Sequence, residues 1–189
     1  FSADDWFHLR LSQIENFSQF LNFFKFTSTL QSASFYRPIP TQLFFFIFQS
    51  LFGLNQIPYY FFVLICFAFS LFLVYQLSFL LSKSANQALI TTFIYSFSVT
   101  NFSRIYFLSA FQEIILVIFS LLCLIKYLEK KHFWSLIFFV LALMSKETAV
   151  IIPLLLVGLD FLNQKLKINK LLLFFLILSL YLYLRLQVF

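Results

Sequence analysis

The chain has 189 residues, 62% of them hydrophobic and only 11% charged, with a mean hydropathy of +0.94. A soluble domain carries about 25% charged residues, so the composition excludes an ordinary soluble enzyme and predicts an all-α, polytopic transmembrane helical bundle. The net charge of +6 does not argue for nucleic acid, because the basic residues lie in short segments between apolar runs, the pattern that orients a membrane protein.

Residues 1–57 read as an outer loop with amphipathic and juxtamembrane helices. Ser2, with Asp5 three positions on, reads as a helix cap with an acidic partner. Leu11, Ile14, Phe17, Leu21 and Phe24 then recur at three- and four-residue steps, opposite Asn16, Ser18, Gln19, Asn22 and Lys25. This predicts one amphipathic helix in the membrane interface. Pro38 and Pro40 argue against helix through Arg37–Pro40. Thr41–Phe52 is apolar but only ~18 Å long as a helix, against a bilayer core of ~30 Å, so it is not expected to span.

Residues 58–189 read as a transmembrane bundle of about six membrane helices, some short: 58–81, 86–100, 105–127, 133–144, 148–162 and 171–189. A single kinked span over 133–162 is the rival reading of that stretch. Lys83, Lys126, Lys130, Lys131, Lys165, Lys167 and Lys170 fall on one side if Thr41–Phe52 does not cross, and the lysine-rich side is cytoplasmic. Asp4, Asp5, Arg37, Arg104, Lys146 and Glu147 then share the extracytoplasmic face, with Glu113 two to three turns below it inside a span. An ionisable group there is a functional candidate by default. The chain also reads as a fragment, with at least one span expected before Phe1.

The bland readings are specific. Asp4 and Asp5 satisfy a helix N-terminus. Arg37 and Arg104 pair with lipid phosphate, Lys146 and Glu147 form a hairpin turn, and Glu113 is bonded to Ser or Tyr of neighbouring spans. The abundant phenylalanine fits AT-rich coding. Cys66 and Cys123 lie in apolar runs and read as packing. His8 and His132 are too far apart for a metal-binding pair.

Carboxylates and cations gathered at a membrane surface suit one chemistry well. A hydroxyl nucleophile needs a base, and a phosphate leaving group needs positive charge. "SADDWFHLR", "FYRPIPTQLFFFIFQSLFG" and "LALMSKETAVIIPLLL", in that order, resemble the GT-C superfamily of multispanning glycosyltransferases, in its protein-mannosyltransferase-like and aminoarabinose-transferase-like branch (glycosyltransferase family 39). The resemblance implies a glycosyltransferase that moves a sugar from a polyprenyl-phosphate-linked donor to a glycan, lipid or protein acceptor hydroxyl, with inversion, among membrane lipids on the extracytoplasmic face.

It further implies Asp4 as the catalytic base, Asp5 as its helper, and Arg37 and Lys146 facing the carrier phosphate, with Arg104 a further candidate there. Glu113, Glu147 and Tyr36 are supporting candidates. Some members use a divalent metal and others none, and no residue cluster in this sequence argues for one. The alternative is a transporter or lipid flippase with Asp4, Asp5 and Glu113 as an ion or proton site.

Overall fold

The computed structural model describes residues 1–26, 35–162 and 168–188, and among these every regular element is helical. Helix α1 is Ala3–Leu11 and α2 is Phe17–Asn22. The single amphipathic helix expected here is therefore broken. Ser12 ends α1, its hydroxyl bonding back to the Leu9 carbonyl at 3.0 Å. That side-chain bond offers the backbone an alternative to continuing the helix. The apolar periodicity survives the break, which is why the sequence pattern alone does not reveal it.

The proline segment also departs from expectation. Pro38–Leu43 forms a wide π-type turn, with the Phe44 amide bonded to the Ile39 carbonyl, and runs directly into α3, Phe44–Phe52. Both prolines occupy the first turn, where amide groups have no intrahelical partner to lose. Gly53 then takes φ +58° and ψ −129°, a conformation open essentially to glycine, and reverses the chain into α4, Gln56–Ser82. The Tyr59 hydroxyl donates to the Gly53 carbonyl at 2.8 Å and fixes the corner.

The remaining helices are α5 (Ala85–Ser96), α6 (Val99–Tyr106), α7 (Phe111–Leu128), α8 (His132–Leu143), α9 (Ile152–Leu162) and α10 (Ile168–Val188). Among the described residues three stretches are long and apolar enough to cross a membrane: Gln56–Ser82, Leu108–Leu128 and Lys170–Gln187. Of the six expected stretches, those near 58–81, 105–127 and 171–189 are of spanning length, and α5, α8 and α9 are the short ones, with 11 or 12 residues each and a reach of less than ~20 Å.

The expected span beginning at residue 105 is also corrected. Phe107 adopts an extended backbone that separates α6 from α7, so Glu113 sits in the first turn of α7 instead of two to three turns inside it. Helix α6 is a small amphipathic piece, with Asn101 buried and Val99 and Phe102 exposed. Lys146 and Glu147 do form a turn between α8 and α9, as the sequence suggests.

Side-chain contacts fix how the long helices run. The Tyr60 hydroxyl at the start of α4 meets the Tyr106 carbonyl at 3.1 Å. At the other end, the Tyr127 hydroxyl of α7 donates to Asp160 of α9 at 2.8 Å, and Lys170 of α10 meets His132 of α8. Arg185 returns to Glu147. Helices α7, α8, α9 and α10 therefore alternate in direction, and 133–162 is a hairpin, not one kinked span.

Asp4, Arg37, Arg104, Glu113, Lys146, Glu147 and Arg185 share one end, while Lys126, Glu129, Lys131 and Lys170 share the other. Lys165 and Lys167 lie outside the described residues. Helix α7 joins two apolar clusters. One is built on Cys123, Phe139, Leu156 and Phe174, the other on Phe45, Tyr59, Val63 and Ile114.

Single cysteines at Arg10 and Thr148, in a background with Cys66 and Cys123 replaced by alanine, are expected to react with an impermeant thiol reagent from one side of a reconstituted vesicle. Cysteines at Lys83 and Lys131 are expected to react from the other side only. A split within either pair contradicts the alternation.

Candidate active site

The site begins at the head of α1. The capping box is present: the Asp5 amide donates to the Ser2 hydroxyl at 3.4 Å, and the Asp5 carboxylate accepts from the Ser2 amide at 2.6 Å. Its other oxygen accepts from the Ser109 amide at 2.7 Å, and the residue is wholly buried. Asp5 is thus a fastener between α1 and the turn that opens α7. Asp4, one residue earlier, is exposed and makes no hydrogen bond or ion pair among the described residues. The two adjacent carboxylates have been given opposite situations.

Asp4 borders a cavity of about 480 Å³ lined also by His8, Arg37, Gln112 and Glu113, with Phe7, Phe35 and Phe107 among its apolar walls. Arg37 grips Glu147 two-handed, Nε to Oε2 at 2.9 Å and Nη2 to Oε1 at 3.0 Å, and its Nη1 donates to Gln112 Oε1 at 2.7 Å. Its guanidinium also lies 4.7 Å from the centre of the Phe35 ring. Burial lowers the Arg37 pKa, opposed by Tyr181 and Glu113, and a guanidinium remains charged regardless. Arg185 Nη2 reaches the same Glu147 Oε1 at 3.1 Å.

Glu113 is held by Lys146 on one oxygen and by Arg104 Nη2, at 3.4 Å, on the other. Its partners are cations, not the Ser or Tyr groups of the bland reading. Arg104 Nη1 in turn donates to Asn101 at 2.8 Å.

Four cations are fixed at this end by two paired carboxylates, and with Asp4 and the buried Asp5 the carboxylates also number four, so the charges balance. Cations held in place in a part-buried site favour an anionic group beside them. Of the sequence candidates, Asp4, Arg37, Arg104, Glu113, Lys146 and Glu147 are brought together, and Asp5 anchors them. Tyr36 is not among them. It stacks on Phe26 at 3.8 Å, donates to the Phe24 carbonyl at 3.2 Å, and is buried, which raises its pKa.

Three residues were missed from the sequence. His8 lies one turn after Asp4 on the same helix face, and that i, i+4 spacing was the available signal. Burial pushes its pKa down to about 4, against the pull of Asp5 and Asp4. Gln112 carries no charge to mark it. Arg185 was marked only as a lone cation at the end of an apolar run. Among the described residues no three of His, Cys, Asp and Glu gather in an arrangement that could hold a metal ion.

Comparison with protein-family models, with curated proteins and with solved structures finds no match.

Replacing Glu147 with Gln leaves Arg37 and Arg185 side by side without their counter-charge. The variant is expected to lose about 2–3 kcal/mol of stability, seen as a lower unfolding midpoint in detergent or nanodiscs. A second outcome follows from His8. Its folded pKa lies below its ordinary 6.5, so the unfolded chain binds the extra proton and stability falls as pH drops from 6.5 toward about 4. The difference in unfolding midpoint between His8→Phe and the unmodified protein is expected to widen over that window and to stay flat above it.

Proposed function

We propose that the chain belongs to a multi-pass integral membrane glycosyltransferase of the GT-C type, which transfers a sugar from a polyprenyl-phosphate-linked donor to an acceptor hydroxyl at the extracytoplasmic face. The observation that carries this reading is an unbonded carboxylate, Asp4, at the same end of the fold as four cations held in place by Glu113 and Glu147. The lysines at the opposite end support its orientation, since they mark the cytoplasmic side.

In this reaction Asp4 accepts the proton of the acceptor hydroxyl as its oxygen bonds to the anomeric carbon. The bond from that carbon to the phosphate oxygen breaks on the opposite face, so the configuration inverts. The electron pair leaves on the phosphate as polyprenyl phosphate, whose charge Arg37 and Lys146 offset, with Arg104 beside them. Such cations are most useful when already fixed before the charge develops. Their carboxylate partners do the fixing: Glu147 sets the plane of the Arg37 guanidinium, and Glu113 holds Lys146 and Arg104 together. Asp5 takes no proton in this scheme, because both its oxygens already accept backbone amides.

The transporter reading places an ion or proton on Asp4, Asp5 and Glu113. It fits less well, since Asp5 is spent on structure and Glu113 is already neutralised by two cations.

Asp4→Asn is expected to lower transfer from a polyprenyl-phosphate sugar by about 10²–10⁴-fold, the usual worth of a general base, with the unfolding midpoint unchanged. Asp5→Asn is expected to lower the midpoint first. Full transfer by Asp4→Asn overturns the assignment.

A further inference from the structure

His8 occupies a position that structure alone does not explain. Its ring is only 6% exposed, stacked on Phe45 at 5.4 Å between centroids and edge-on to Phe35 at 6.0 Å. Nδ1 is buried and has no hydrogen-bond partner. A phenylalanine would fill this aromatic slot without leaving a buried polar atom unpaired, so the imidazole costs stability. A local rule broken without structural compensation marks a functional position.

The same ring borders the cavity that holds Asp4. A buried N–H without a partner is rarer than a buried acceptor without one. The proton of the neutral ring therefore belongs on Nε2, and Nδ1 keeps its lone pair. Asp4 and His8 are one helical turn apart, with Cβ atoms about 5–6 Å from each other. A single hydroxyl fits between such a pair, since its oxygen can accept one hydrogen bond while its proton is given to another group.

We propose that His8 is a second substrate-contacting residue, whose Nε2–H donates to the acceptor hydroxyl oxygen and holds it against Asp4. This rests on the glycosyl-transfer reading. Asp4 alone can take the proton from any passing hydroxyl, water included. Asp4 with His8 fixes one hydroxyl in place and orients the lone pair that attacks. The groups around the ring suit a neutral donor: Asp4 and Asp5 on its own helix are offset by Arg37 from the neighbouring segment, and burial keeps the ring uncharged at neutral pH.

The test uses the protein in liposomes, a panel of radiolabelled polyprenyl-phosphate hexoses and pentoses, and membranes of the producing cell as acceptor. His8→Leu and His8→Asn are compared, since they are alike in size and differ in hydrogen bonding. His8→Leu is expected to lose at least tenfold in transfer rate, with the apparent KM for acceptor raised, the KM for donor unchanged and the unfolding midpoint equal or higher. His8→Asn is expected to retain several-fold more activity than His8→Leu. Equal activity of the two variants beside an active unmodified protein overturns this inference alone, as does a change confined to the donor KM. An unmodified protein that uses no donor in the panel overturns the glycosyl-transfer reading and this inference with it.

Discussion

The buried carboxylate of Asp5 is the contact on which the candidate site depends. A carboxylate taken out of water is costly unless it is hydrogen-bonded. Here two backbone amides, Ser2 from its own helix and Ser109 from a segment distant in the chain, meet that need. The result is a short strut from the first helix to the head of α7. Helix α1 is otherwise held by Leu9, its only well-buried apolar residue, by the His8 ring packed on Phe45, and by Ser12 against Gln49, while Trp6 and Phe7 stand exposed. The strut ties the end of α1 that carries Asp4 to the head of α7, next to Gln112 and Glu113. The strut also explains why two adjacent aspartates can differ so much: successive helical positions point about 100° apart, and only one of them faces Ser109.

The charges beyond α1 are arranged as two carboxylate-centred knots. Glu147 collects Arg37 and Arg185, and Glu113 collects Lys146 and Arg104. Each knot draws from separated parts of the chain, so each also works as a clasp between elements. Gln112 and Glu113 are adjacent on α7, and Gln112 touches Arg37 while Glu113 touches Lys146. One turn of α7 therefore spaces both knots. The opposite end has its own small set, with Lys126 and Lys131 on Glu129. There the carboxylate is loosely covered and its lysines lower its pKa, a surface arrangement worth little stability.

Much of this was legible in the sequence, and the limits have physical causes. The capping pair at Ser2 and Asp5 was readable because a cap is a local pattern. The spans at 56–82 and near 171–189 were readable from hydropathy, and the gathering of charges at one end from the spacing of loops. The break at Ser12 was hidden because apolar periodicity continues across it. The turn at Pro38 was misjudged because proline is excluded from helix interiors but not from first turns. The depth of Glu113 was misplaced because Ile105, Tyr106, Phe107 and Leu108 extend the apolar run of α7 backwards, and nothing in composition marks Phe107 as extended. Which cation meets which carboxylate is a long-range matter that spacing cannot supply, and for that reason Arg185 and Gln112 went unnoticed. His8 stands out little in the sequence because a single histidine without a partner at ligand spacing looks like any ring of an aromatic core.

The Arg37 clasp has a consequence for the order in which the protein can be made. Arg37 meets Glu147 across 110 positions of chain, and Glu147 meets Arg185 across 38 more. During synthesis the arginine must therefore leave the ribosome well before its counter-charge exists, and the second guanidinium comes later still. Until then Arg37 is kept in water or at lipid headgroups, and the segment around Pro38 cannot settle into its final seat. Assembly of this end of the fold is thus gated by the arrival of α9 and α10, and the nascent chain carries an unfinished site until Arg185 has been made.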